Sequence, residues 1–308
     1  MKIEKSKVCL AAYGKQAAIL SDGTVVCSCF DKCKDVPLGN MNDSSFMEIW
    51  NGQAYECLRQ FDWDAGNASK LCNVCSYLCE TQELIRPLAG PRKLIIEYNS
   101  DCMLQCPGCE RREILDSRSQ VIMPDALVDS ILEQLGSIPE LKKIGFYNHG
   151  EPLLHEKAFS FITRIKQAVP DVEVFTSTNG LSLSSERRRR ALLDSGIDTV
   201  MFSIDGTCEE SYRKYRIGGS FVEAYSNMEK LIELKRRIGS ASPKIIWRYI
   251  LFNWNDSDDE IQVALRLAEE LGVDQFCFLP TDYPTWAVSQ YASGKKREWI
   301  EQYTANVF

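Results

Sequence analysis

The chain has 308 residues, 44% hydrophobic and 26% charged, with a net charge of −7. That composition excludes a low-complexity disordered chain, and no apolar run approaches the roughly eighteen residues of a membrane span. An acidic chain with no long basic stretch is also a poor binder of a phosphate backbone, so no nucleic-acid or membrane partner is expected. Thirteen cysteines and only two histidines are the outlier. An odd cysteine count, behind an N-terminus (MKIEKSKVCLAAYG) with no apolar signal segment, points to a cytoplasmic protein with thiolate–metal chemistry rather than disulfides.

From the N-terminus, the stretch to residue 88 holds Cys9, Cys27, Cys29, Cys33, Cys57, Cys72, Cys75 and Cys79. Thiol-rich and loop-rich, it is expected to have little core of its own and to need a metal to hold it. Cys57 falls in a helix-like stretch and is expected, with Cys33, to be a free buried thiol. The Gly- and Pro-bearing LAGPRK at 88–93 marks the end of this first domain, 1–88.

Beyond it, apolar strand-like runs alternate with helical periodicities. Strands are predicted at 93–99, 143–149, 172–178, 199–205, 244–252 and 275–280, with helical patterns between them. Repeated strand–helix units imply an α/β fold with a parallel sheet, here a partial (β/α)6 TIM-like barrel over 89–282. A tail, 283–308, is expected to pack on the barrel, with Tyr283, Trp286, Tyr291 and Trp299 capping its edge. In such a fold, chemistry belongs at the C-terminal ends of the strands. Asn99 to Cys109, Gly150-Glu151-Pro152, Thr178-Asn179-Gly180, Ser203 to Gly206 and Asn253 to Asp256 each stand at or just beyond such an end.

Cys102-Met-Leu-Gln-Cys106-Pro-Gly-Cys109 follows the first of these strands. Three thiolates on one loop can hold three irons of a [4Fe–4S] cubane and leave the fourth open. A zinc site or a closed structural cluster is the alternative that the spacing alone leaves standing. CxxxCxxC at this strand end resembles the radical S-adenosylmethionine (SAM) superfamily. So do Gly150-Glu151-Pro152, Thr178-Asn179, Ser203 with Asp205, and Arg216 in YRKYRIGG. The resemblance covers about residues 89–282.

The resemblance implies that Cys102, Cys106 and Cys109 carry a [4Fe–4S] cluster whose open iron chelates SAM. Gly150-Glu151-Pro152 would meet the SAM amino group through the glutamate. Thr178, Asn179, Ser203 and Asp205 correspond to ribose contacts, and Arg216 to a carboxylate contact. It further implies reductive cleavage of SAM to a 5′-deoxyadenosyl radical that abstracts hydrogen from a C–H bond, and an electron donor such as flavodoxin or ferredoxin. Gly108 departs from the pattern, since many members have an aromatic residue just before the last cysteine.

The segment from Cys9 through SDGTVVCSCFD, LGN and EIWN to CNVCSYLC resembles a SPASM or twitch-like domain, a carrier of auxiliary iron–sulfur clusters, here ahead of the barrel rather than after it. It implies an auxiliary [4Fe–4S] cluster on four of Cys9, Cys27, Cys29, Cys72, Cys75 and Cys79, with Cys9, Cys29, Cys72 and Cys75 as first choice. Three functions stay open: an epimerase or dehydrogenase of a carbohydrate or aminocyclitol, a maturase of a ribosomally made peptide, and a non-catalytic metal-binding scaffold. IIWRYILFNWNDSDDEI and CPGC resemble SPASM proteins of saccharide and antibiotic-sugar pathways, which favours the small-molecule substrate. Cys208, just past the fourth predicted strand, is the candidate hydrogen donor for an epimerase, and Cys277 the second. Arg248 interrupts an apolar strand and is a candidate contact for an anion, the substrate or SAM.

Overall fold

The computed structural model describes residues 6–28, 35–60, 72, 75–81, 86–294, 296–298 and 300. Cys29, Cys33, Trp299 and the end of the tail lie outside them. The chain divides into two compact units.

The first unit comprises Met1–Asp101, Arg111–Pro152 and Arg164–Val174. Its strands begin with β1 (Ser6–Cys9), β2 (Ala17–Ile19), β3 (Thr24–Val26) and β4 (Pro37–Asn40). β2 and β3 form an antiparallel hairpin around Ser21-Asp22-Gly23. Gly23 sits at φ +86°, which glycine tolerates, and Asp22 Oδ1 accepts the Thr24 amide at 3.1 Å. Two short helices follow, α1 (Phe46–Trp50) and α2 (Gln53–Arg59). Ser45 and Glu48 close a capping box at the start of α1. Next come β5 (Leu78–Thr81), antiparallel to β1, β6 (Lys93–Ile96) and β7 (Lys143–Gly145). β6 is parallel to β7 on one side and to β2 on the other, so the strands run β7-β6-β2-β3-β4.

This first stretch is better built than its composition suggests. Ala17, Ala18, Ile19, Val25, Val26, Phe46, Trp50 and Tyr55 are all buried. The reason is the β2–β6 ladder, which places the thiol-rich segment on the edge of the parallel strands instead of leaving it to fold around metal alone. Cys57 corrects the expectation of a buried thiol: it is exposed, because α2 turns Tyr55 and Leu58 inward and position 57 lies off that face. Between β6 and β7 stand α3 (Arg111–Leu115) and α4 (Asp125–Leu135). α4 buries Leu127, Val128, Ile131, Leu132 and Leu135, an i, i+4 stripe facing the core.

The second unit comprises Cys102–Glu110, Leu153–Thr163 and Phe175–Phe308. The helix α5 (Lys157–Ala168) and the strand β8 (Glu173–Thr178) each belong to both units. β8, β9 (Thr199–Ser203), β10 (Lys244–Leu251) and β11 (Gln275–Pro280) are parallel in that order. The intervals hold α6 (Glu186–Asp194), α7 (Glu209–Arg213), α8 (Phe221–Arg237) and α9 (Asp258–Leu271). Alternation along β10 sorts its side chains. Trp247 meets Tyr225 of α8 at 5.9 Å and Phe276 at 5.2 Å, and Tyr249 meets Phe278 at 5.6 Å. The opposite face carries Ile246 and Arg248, and the register sets Arg248 beside Ser203 on one neighbour and Cys277 on the other.

All six predicted strands form, as β6 to β11, and the architecture is the mixed sheet of a partial (β/α) barrel with a cysteine-rich N-terminal region. Among the described residues, no helix is long and apolar enough to cross a membrane.

Candidate functional site

The three-cysteine loop is held by its own backbone and by the loop after α7. The Cys109 amide donates to the Cys106 carbonyl at 3.0 Å, closing the turn at Pro107-Gly108. The Gln105 amide donates to Ile217 O at 2.9 Å. Cys102 and Cys106 are half-buried and Cys109 is exposed. Donors converge on the sulfurs: the Leu104 amide on Cys102 Sγ at 3.4 Å, Asn179 Nδ2 on Cys102 Sγ at 3.8 Å, and Arg216 Nη1 on Cys106 Sγ at 3.8 Å. Burial pushes the Cys106 thiol up, and the Arg216 charge pulls the other way.

Arg216 is anchored by Asp205, with Nε and Nη2 both 2.6 Å from Oδ2. Burial opposes the guanidinium charge, but Asp205 and Cys106 outweigh it and hold Arg216 more firmly protonated than usual. Asp205 is fully buried and accepts the Ile250 amide at 2.7 Å on its other oxygen, while Asn255 Nδ2 holds the Asp205 carbonyl at 3.1 Å. Two residues expected as separate SAM contacts are thus joined as one ion pair, braced by Asn255, which the sequence reading passed over within Asn253 to Asp256. Thr178 and Asn179 turn inward to shape their own loop, Thr178 Oγ1 accepting Gly180 N at 3.1 Å and Asn179 Oδ1 accepting Leu181 N at 2.9 Å.

Gly108 has a local explanation. A Cβ there would stand 3.0 Å from Tyr215 Oη and 3.1 Å from Pro284 Cδ. The Tyr215 ring packs on Phe252 at 4.4 Å, Phe252 on Trp254 at 4.7 Å, and Trp254 on Trp286 at 5.6 Å. Of the tail aromatics, Tyr291 is buried while Tyr283 and Trp286 are exposed.

Gly150-Glu151-Pro152 is described within the first unit. Glu151 is buried, its amide donating to Asp101 O at 2.7 Å and its carbonyl accepting Asn99 Nδ2 at 2.8 Å. A Cβ on Gly150 would fall 2.2 Å from the Asn99 carbonyl oxygen, so only glycine allows this close approach.

On the second unit's β9–β11 face, Arg248 Nη2 donates to Ser203 Oγ at 2.6 Å and to Ser177 Oγ at 3.3 Å. Ser203 therefore faces Arg248. Cys277 is buried with Met201 and Ile246 on this face, and burial pushes its thiol up to about 11. Cys208 is exposed at the head of α7, its Sγ 3.5 Å from Ser211 Oγ.

A second group of thiols lies in the first unit. Cys9 ends β1, Cys27 follows β3, and both are buried. Burial pushes the Cys9 thiol up, and it accepts hydrogen bonds from the amides of Ala12 and Ala11, with Cys75 and Cys72 as neighbouring thiols. Cys79 lies on β5 opposite Val8. Among the described residues, no three acidic, cysteine or histidine side chains stand at metal-holding distance. The donor chemistry nevertheless fits iron–sulfur clusters at both places: the candidate ligands are thiols, and amides or cations already point at their sulfurs.

Residues 96–260, more than half of the chain, match the radical SAM superfamily. Residues 9–76 match SPASM, an iron–sulfur cluster-binding domain. The chain is 28% identical over 182 residues to the tungsten-containing aldehyde ferredoxin oxidoreductase cofactor-modifying protein of Pyrococcus furiosus, across 59% of this chain and 49% of that protein. It is 27% identical over 118 residues to the S-adenosyl-L-methionine-dependent 2-deoxy-scyllo-inosamine dehydrogenase of Niallia circulans, across 38% and 46%. The structure of BtrN in complex with AdoMet and 2-DOIA shares 27% identity over 36% of this chain and 45% of that one, at a TM-score of 0.33. The chain spans less than half the length of each of these three. It belongs to the radical SAM superfamily, as an enzyme with a SPASM-type iron–sulfur region, and that membership implies binding of SAM and iron–sulfur clusters.

Proposed function

We propose that the chain dehydrogenates a secondary alcohol of a small carbohydrate-type or aminocyclitol substrate. The observation that carries the chemistry is the trio Cys102, Cys106 and Cys109 with Asn179 and Arg216 aimed at its sulfurs. The substrate class is supported by the match to the inosamine dehydrogenase. When bound, SAM and its [4Fe–4S] cluster supply a 5′-deoxyadenosyl radical, with flavodoxin or ferredoxin as the class of electron donor. Cys102, Cys106 and Cys109 hold that cluster, and Arg216, fixed by Asp205, places a positive charge at Cys106. Thr178 and Asn179, at the end of β8, are the SAM-ribose contacts of the second unit. Cys9, Cys72 and Cys75, with Cys27, Cys29 or Cys79, hold the auxiliary [4Fe–4S] cluster. Arg248 and its serines offer a guanidinium and hydroxyls to a polyol.

The overall reaction balances without an external oxidant. SAM and the alcohol become methionine, 5′-deoxyadenosine, a ketone and one proton. Epimerisation is the second reading, and Cys277 favours it: burial keeps an S–H in place on the face that carries Arg248. Cys208 is the exposed alternative donor.

The test is anaerobic turnover with dithionite, SAM and aminocyclitols deuterated at their carbinol carbons. Dehydrogenation gives deuterated 5′-deoxyadenosine and a ketone. Epimerisation in D2O with unlabelled substrate instead gives deuterium at an inverted carbon. Label transfer only from a peptide, and from none of the polyols, overturns the substrate class.

A further inference from the structure

Tyr55 lies on α2, one turn before Arg59 on the same face. It is fully buried, and its hydroxyl has no hydrogen-bond partner among the described residues. Native proteins rarely leave a buried hydroxyl unmatched. Its surroundings say what is missing. The ring rests on Trp50 at 4.5 Å, and the Arg59 guanidinium covers it at 5.3 Å, so both are used in packing. Beyond the ring, the ionisable groups that bear on the hydroxyl are Cys27 first, then Arg59 and Cys9. The same helix braces the Cys9 loop, since Arg59 Nε donates to Ala12 O at 3.0 Å and the Ala12 amide donates to Cys9 Sγ.

We infer that the Tyr55 hydroxyl donates a hydrogen bond to a sulfur of the auxiliary cluster on its Cys27 side, and so tunes the reduction potential of that cluster. A donor to sulfur stabilises the reduced, more negative cluster more than the oxidised one. Its removal therefore makes reduction harder. The inference rests on the SPASM-type region holding a cluster and is independent of the substrate.

The full chain with Cys102, Cys106 and Cys109 changed to alanine leaves the auxiliary site as the only cluster to titrate. Tyr55→Phe on that background keeps the ring against Trp50 and deletes only the donor. The expected result is unchanged iron and sulfide content with a midpoint potential, followed by electron paramagnetic resonance, shifted to more negative values. Replacement of Tyr55 by 3-fluorotyrosine, a more acidic phenol of nearly the same shape, shifts it the other way, and it decides the matter if the phenylalanine variant does not assemble a cluster. Iron present with the potential unmoved overturns the role of Tyr55 alone. A parent triple variant without iron overturns it together with the auxiliary cluster, and leaves the aminocyclitol reading to its own test.

Discussion

At the scale of single residues, the Asp205–Arg216 pair couples stability to the candidate site. Both side chains are largely out of water, and removing one partner strands the other charge. Asp205→Asn is expected to cost about 3 kcal/mol in urea unfolding. It should also loosen the hold of Arg216 on Cys106. An unfolding midpoint equal to that of the parent would contradict this. Cys277 gives a pH signature. Its thiol is raised to about 11 in the folded chain by burial, against an unfolded value near 9. Between those values only the unfolded state has lost the proton, so stability is intact below about 9 and falls as pH rises towards 11, by about 1.4 kcal/mol per unit. Cys277→Ala should flatten that slope relative to the parent. The placing of the thiol trio and Glu151 just beyond strands β6 and β7 was legible, because reactive residue types crowd the strand ends. The joining of Asp205 to Arg216 was not, since α7 closes a distance the sequence does not display. Tyr55 was hidden for another reason: an aromatic residue in a short helix reads as core, and only the orphaned hydroxyl distinguishes it.

At the scale of elements, strands with long apolar runs announced themselves. β10, with eight residues and both faces covered, is the clearest. β2 has three residues and no alternation to read, so its pairing with β6 emerges only in the fold. Helix phase explains a second difference. The run Arg187–Arg190 looks like a solvated face, yet Arg189 is buried and donates to Leu183 O at 2.6 Å, while Arg190 meets Asp194 in water. α1 offers a direct test of local design. Ser45 accepts the Glu48 amide and Glu48 answers at the Ser45 amide, so Ser45→Ala should lower stability by about 1 kcal/mol. Restoration by Ser45→Asp, monitored by thermal unfolding, separates capping from packing.

At the scale of the whole molecule, the two units are expected to respond differently to loss of iron. In the first, the Cys9 loop carries amides that donate to a sulfur which a cluster would tie to its neighbours. In the second, β10 is secured by Trp247, Tyr249 and their aromatic neighbours. Anaerobic chelation should therefore speed hydrogen exchange at Leu10, Ala11 and Ala12 and leave Trp247 to Leu251 protected. Uniform exchange across both would refute the distinction. The β2–β6 ladder carries one more consequence, for anyone who would trim the chain at residue 88 to isolate the barrel. The cut strips β6 of its neighbour and bares a row of amides and carbonyls along an apolar strand. Such a fragment should clump with its own copies, so the cysteine-rich stretch also serves as the guard of an adhesive border.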